Sequence, residues 1–367
     1  MRRSHLPLVL LLVLALTLPA VAVSAQGGTE LEQTKLRLGF GLDPVYAPHI
    51  VAIEKGWLAE AGFEEIETAT FTSGAAAGEA LLAGEIDLWT PGTVPPISMR
   101  HNGVPVVIVG TNTLAYIEKF VARTDAGLEK PEDLLNIKIG LTEGSTASAT
   151  VENLALHYGL DPLKLQIVNL PAPEQMTALI NNDIQAFVVW NPWPYLAETS
   201  TDVDAEILHN GTVSNFPWDA GEEFQISFTR SVWVMSEDFI RKNPNTARAL
   251  MLTLYRAQDY VADPENREEV VALISEYLDQ PVEQNDVLWD DYSFENIFDE
   301  DYVRDLEKYT DFLYESGRIE DPQEPMSYTY TGFMEEYNPD NVVIEGTWEP
   351  SVSYTHLRAY ETVIDIV

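Results

Sequence analysis

From Lys35 onward, short strand-like runs alternate with helix-like ones, and Gly- or Pro-bearing connections separate them. Lys35 to Gly41 (KLRLGFG) alternates like a strand, and Val45 to Ala61 follows as a helix stopping near Gly62. A strand over Ile66 to Phe71, a helix over Ala75 to Ala83 and a short strand at Ile86 to Trp89 come next. A helix over 94–102 and a strand over Val106 to Val109 continue the series. Such alternation predicts an α/β fold with mostly parallel sheets.

A faint internal repeat sharpens this. Ala80 to Trp89 (ALLAGEIDLW) is echoed by Ala178 to Phe187 (ALINNDIQAF), each passing from helix end through a tight turn into a strand. Both then reach a Pro-bearing loop, Thr90-Pro91-Gly92-Thr93 and Trp190-Asn191-Pro192-Trp193. Shared turn chemistry explains the likeness at its plainest. The stronger reading is two similar lobes, each with a loop beyond the carboxyl end of a strand, where open α/β sheets bind ligands. A strand over Gln225 to Met235 carries the chain back to the first lobe. Helices are expected at Ser236 to Lys242, Asn245 to Ala262, Pro264 to Leu278 and Asp301 to Ser316, and a largely loop segment, rich in Pro and Tyr, beyond Gly317.

Both ends stand apart from this pattern. Arg2-Arg3, an apolar run from Leu6 to Val23 and Val23-Ser24-Ala25 have the form of a secretory signal peptide over 1–25. Residues 351–367 read SVSYTHLRAYETVIDIV; Ser351 to Leu357 resemble a translated sequencing adapter, so a native end near Pro350 is expected. With no cysteine there is neither a disulfide nor a lipid-attachment site, which fits a periplasmic protein. A net charge of −38 argues against nucleic acid and anionic membranes as partners; a saline habitat or ordinary solubility would each account for it. At 46% hydrophobic residues the chain can bury sizeable cores, in two lobes rather than one.

No catalytic set is visible. The six histidines are scattered, and no dinucleotide, Walker or nucleophile-elbow motif is present. No metal or cofactor is expected. What remains are helix starts built from small polar residues. Gly144 to Thr150 (GSTASAT) is uncharged in this acidic chain and joins the strand Ile137 to Leu141 to a helix. Free N–H groups and the helix dipole make such an end partly positive, and small side chains let an oxyanion reach it. A plain Ser/Thr N-cap is the alternative. Phe71-Thr72-Ser73-Gly74 and Gly92-Thr93-Val94-Pro95-Pro96 are two more such starts. Trp190 and Trp193 bracket Asn191-Pro192, so one of them faces a cleft or both pack in a core. Tyr46 follows the first strand and is placed to close over a ligand.

On these residues the chain resembles the periplasmic solute-binding proteins of ABC importers for taurine, alkanesulfonates and nitrate, which share a fold with thiamine-precursor binders. The landmarks are Pro48 to Trp57 (PHIVAIEKGW), Phe71 to Gly74, Gly92 to Pro96, Lys130 to Leu134, Gly144 to Thr146, Val168 to Leu170, Val189 to Pro192, and Val232 to Met235 with Asp238-Phe239. The resemblance implies a two-lobed α/β periplasmic binding protein of type II. Lobe one would hold 36–135 plus 226–340, and lobe two 136–225. It further implies oxyanion donors at Ser73, Gly74, Thr93 and Val94 in lobe one and at Ser145 and Thr146 in lobe two, with Trp190 and Tyr46 against the solute. Taurine binders carry an acid where this chain has Ser231, so Arg230-Ser231 departs from them. Arg230 is then either a second anion contact or an ion-pair partner.

The expected function is capture of a small anionic solute, an organic sulfonate first and nitrate or a carboxylate next. Delivery would be to an inner-membrane permease, by a monomer and without catalysis. A neutral pyrimidine-like ligand is the alternative, and an enzyme on the same scaffold a third.

Overall fold

Strand β1 (Lys35–Phe40) buries Leu36, Leu38 and Phe40 while Lys35 and Arg37 point outward, the two-residue period of a half-buried strand. Helices α1 (Ala47–Glu54) and α2 (Trp57–Glu60) lead to β2 (Glu65–Thr70), which pairs with β1 in parallel. Helix α3 (Gly74–Ala83) starts at Ser73, whose Oγ accepts from the Ala76 N–H at 3.3 Å. It stops at Gly84, where φ of 69° favours a residue without Cβ. The expected strand at Ile86 to Trp89 is reduced to two bridging residues, Leu88 to Leu38 and Trp89 to Val234. Helix α4 (Val94–His101) then precedes β3 (Val106–Ala115), which is buried almost throughout.

This computed structural model describes residues 30–344 and 348–350, except Thr72 and Phe228. The leader over 1–25, the tail over 351–367 and Thr72 of the Phe71–Gly74 motif lie outside the described residues.

After β3 the chain crosses through Tyr116–Glu118 into a second sheet. Its strands are β4 (Lys119–Arg123), β5 (Lys138–Leu141), β6 (Gln166–Asn169), β7 (Ala186–Val189) and β8 (Ala205–His209), ordered β6-β5-β7-β4-β8. Helices α5 (Thr146–His157), α6 (Ala172–Ile180) and α7 (Trp193–Glu198) connect them. The chain returns through Ser227 into β9 (Thr229–Ser236), which pairs antiparallel with β3; β10 (Tyr292–Ser293) lies on the other edge of β3. Helices α8 (Glu237–Lys242), α9 (Pro244–Ala262), α10 (Arg267–Leu278), α11 (Val282–Trp289) and α12 (Glu300–Glu315) follow.

One hydrophobic core gathers β1, β3, β9 and the helices packed on them, while two smaller cores flank the five-stranded sheet. The molecule therefore has two lobes, and two chain segments pass between them.

Two features differ from the sequence reading. The first lobe was expected to run to residue 135, yet β4 hydrogen-bonds to β7 and β8, and Phe120 and Ala122 enter the second lobe's core. The sheets are also mixed. The β3–β9 pair is antiparallel because the whole second lobe, rather than one crossover helix, joins its strands. Beyond Gly317 the chain is largely loop as expected, with one short helix, α13 (Gly332–Tyr337), that buries Phe333 and Met334.

Candidate functional site

A cleft enclosing about 1120 Å³, solvent at its mouth included, opens between the lobes. Two helix starts reach its wall. From the first lobe come Ser73, Gly74 and Ala75 at the head of α3, and from the second Gly144, Ser145 and Thr146 at the head of α5. Gly144 holds φ of 76°, which turns the chain from β5 into the helix. Ser145 does not cap α5 with its side chain; its Oγ donates to the Thr142 carbonyl at 2.6 Å. The first N–H groups of α5 thus keep their positive end without a side-chain acceptor.

Aromatic rings form much of the remaining wall. Tyr46, Phe71, Trp89, Trp190 and Trp193 all line the cleft. Trp190 also packs with Tyr46 against a small interlobe cluster containing Val45, Ile117 and Tyr292, so one ring serves wall and interface together. The lobes approach closely at Gly92. A Cβ there would lie 3.2 Å from Thr229 Cγ2 in the same lobe and 3.4 Å from Thr146 Cγ2 in the other, so the lobes meet there at van der Waals distance.

The structure thus brings Tyr46, Ser73, Gly74, Ser145, Thr146, Trp190 and Ser231 to one cavity, and leaves three expected residues off its wall. Thr93 and Val94 are fully buried behind Gly92 and Pro95, which line the cleft in their place. Arg230 turns the other way. Its Nε and Nη2 donate to Asp305 Oδ2 at 3.1 and 2.9 Å, within the core beside α12. The reason is strand parity: neighbouring residues of β9 face opposite sides, so Thr229 and Ser231 point to the cleft and Arg230 away from it.

The sequence reading missed two carboxyl groups. Asp43 accepts from the Val45 N–H at 2.7 Å and from the Tyr292 hydroxyl at 3.4 Å, and burial pushes its pKa up to about 7. Glu118, in the outgoing crossover, accepts hydroxyl hydrogen bonds from Thr146, Thr229 and Ser227, the last at 3.3 Å. Burial raises its pKa as well, and the three hydroxyls oppose that rise. A Glu-Lys pair set between Ile117 and Phe120 at the head of a buried strand was the available signal. Asn191 is also fully buried on the wall, and its Nδ2 donates to Asp291 Oδ2 at 2.9 Å. Lys119 Nζ reaches the same oxygen at 2.6 Å. Among the described residues no three His, Cys, Asp or Glu side chains are placed to hold a metal ion, and no helix is long and apolar enough to cross a membrane.

The sequence matches the NMT1-like family over residues 29–275. The chain belongs to the NMT1-like family. It is 27% identical over 279 residues to the nitrate/nitrite binding protein NrtA of Nostoc sp. (strain PCC 7120 / SAG 25.82 / UTEX 2576), covering 70% of this chain. It is 28% identical over 197 residues to the taurine-binding periplasmic protein of Escherichia coli (strain K12), covering 53% of this chain. The matched stretches span 61% and 57% of those two proteins, less than two thirds of either. Among solved structures, the alkanesulfonate-binding protein SsuA from Xanthomonas axonopodis pv. citri bound to MOPS superposes with a TM-score of 0.67 at 18% identity. That match covers 82% of this chain and 99% of SsuA. The fold of this NMT1-like chain is the two-lobed α/β fold of periplasmic binding proteins.

Proposed function

We propose that this chain is the extracytoplasmic substrate-binding component of an ABC importer, capturing a small oxyanion, an organic sulfonate before nitrate or a carboxylate, between its lobes. The observation that carries the reading is the convergence of two helix starts, α3 and α5, on one cavity from opposite lobes. Each offers N–H donors and a partial positive charge to an oxyanion. Closure of the lobes brings both donor sets onto one head-group and raises affinity through the population of the closed state. The names of the relatives, for nitrate, taurine and alkanesulfonate, support the same class.

The aromatic wall favours an organic body over a bare inorganic ion, because Trp190, Trp193 and Phe71 offer a large apolar area for a solute to cover. The relatives named above are binding proteins by name, and the reading is binding without turnover. The protein acts in the periplasm as a monomer and hands its solute to a membrane permease. A second reading, a neutral pyrimidine-like ligand, draws on the same rings and on the absence of a basic side chain from the wall.

A thermal-shift panel of sulfonates, nitrate, carboxylates and pyrimidines tests the reading. A bound ligand at about 100 times its Kd stabilises by about 2.7 kcal/mol, a shift of several degrees. Stabilisation by an organic sulfonate is expected. Stabilisation by pyrimidines alone, or turnover of any bound compound, would overturn it.

A further inference from the structure

The loop that carries Trp190 and Trp193 is held from the opposite lobe by one carboxylate. Asp291 lies between α11 and β10 in the first lobe. Its Oδ2 accepts from Lys119 Nζ at 2.6 Å and from Asn191 Nδ2 at 2.9 Å, both in the second lobe. Lys119 opens β4 and pairs with Val189, the last residue of β7, so the two donors rise from neighbouring strands. The backbone carbonyl of Asp291 accepts from the Tyr116 N–H of the outgoing crossover at 3.2 Å. One residue thus meets the second lobe at its sheet and its loop, and meets the connection between the lobes as well.

The surroundings give this contact weight. Side-chain exposures of 11% for Lys119 and 24% for Asp291 keep part of their attraction from being screened by solvent. A charge-assisted hydrogen bond is roughly twice as strong as a neutral one. Beside it, Leu288 and Tyr292 of the first lobe pack in one cluster with Trp190 and Tyr195 of the second. Another ion pair between the lobes, Arg318 Nη2 to Glu152 Oε1 at 2.9 Å, is more exposed, at 35% and 26%. Pairs nearer the surface contribute less.

We propose that Asp291 is a positioning residue that holds the lobes in the closed arrangement before a solute arrives, by pairing with Lys119 and anchoring the Trp190–Trp193 loop through Asn191. The lobes already meet at Gly92 and Thr146. Opening the cleft separates Asp291 from its two donors, and Leu288 and Tyr292 from Tyr195. Asp291 is not among the residues lining the cleft, whereas Trp190, Asn191 and Trp193 are. It therefore acts on a solute through the loop and through the population of the closed state.

Distances between two spin labels, measured on the full chain without any solute, test this. The chain has no cysteine, so Leu82→Cys and Leu163→Cys place one label at an exposed site on each lobe. With Asp291 in place, one distance should dominate, that of the structure. Asp291→Asn and Lys119→Met should each raise the open-to-closed ratio about tenfold, the loss of one charge-assisted bond. Together they should fall short of the product of the two, because they remove the same pair. Arg318→Gln should leave the distances as they are. Unchanged distances in both Asp291→Asn and Lys119→Met, or effects that multiply fully, would overturn the proposal. Where Asp291→Asn does not fold, Lys119→Met decides. Calorimetric titration with propane-1-sulfonate, an arm that rests on the oxyanion reading, should show affinity falling by the factor by which the closed fraction falls. Lost closure at unaltered affinity would overturn the role in capture. No binding of this sulfonate to the unaltered chain would count against the oxyanion reading, and the distances would still decide for or against Asp291.

Discussion

The hydroxyl of Thr146, the first residue of helix α5, donates to Oε1 of Glu118, the last residue before strand β4. The head of the second lobe's cleft-facing helix is thereby tied to the outgoing crossover. Through Ser227 and Thr229 the same carboxylate is tied to the returning one. Thr146→Val keeps the shape and removes the donor. Stability should fall by about 1–3 kcal/mol, the cost of leaving a buried acceptor short of a partner, read as a lower denaturant midpoint at unchanged slope.

Arg230 and Asp305 form a buried pair, with side-chain exposures of 3% and 9%. Asp305→Ala strands a guanidinium in the core and should cost about 3–5 kcal/mol in denaturant unfolding. Solute affinity should stay unchanged, since neither side chain lines the cleft. Replacing the pair together, as Arg230→Met with Asp305→Leu, should recover much of the loss. A stable Asp305→Ala protein that no longer binds its solute would return Arg230 to the binding site.

Asp43 carries a pH signature. Its pKa rises from an unfolded value of 3.8 to about 7 in the fold, so the folded state holds a proton that the unfolded state has released. Stability from this group is full below 3.8 and is lost as pH climbs towards 7. His49 acts oppositely. Burial lowers its pKa from 6.5 to about 3, so its contribution is present above 6.5 and lost as pH falls. Asp43→Asn keeps the oxygen that accepts from Val45 and removes only the first effect. Its Tm relative to the unaltered chain should rise between pH 4 and pH 8, and a constant difference would contradict the assignment.

Ser145→Asp puts a carboxylate at the start of α5. Aspartate is a good N-cap, so the fold should hold, while solute affinity should fall about tenfold or more through repulsion at the oxyanion position. Titration calorimetry reads the change, and unaltered affinity would remove α5 from the site.

Much of this was legible beforehand because the lobe containing β1 alternates cleanly. Leu36, Leu38 and Phe40 mark a face, and Ser73, Gly84 and Gly144 mark where helices begin and end. Strand β4 escaped because Phe120, Val121 and Ala122 form a run buried on both sides, which has no period to read. Arg230 and Ser231 were read together, yet strand parity sends them to opposite faces. Knowing which of the two faces the cleft requires the pairing partner of β9, and that partner lies more than a hundred residues away in β3. Glu118, Asp43 and Asn191 are distant in the chain and share a wall only because two crossovers bring the lobes together. No local pattern carries that juxtaposition.

The most direct test of the account is the backbone amide spectrum of the isotopically labelled chain during titration with a small organic sulfonate. The account predicts saturable shifts at Gly74 and Ala75 and, in the same titration, at Thr146 and Ala147, with one shared affinity. Shifts confined to one lobe, or absent from both helix starts while the ligand binds, would contradict it.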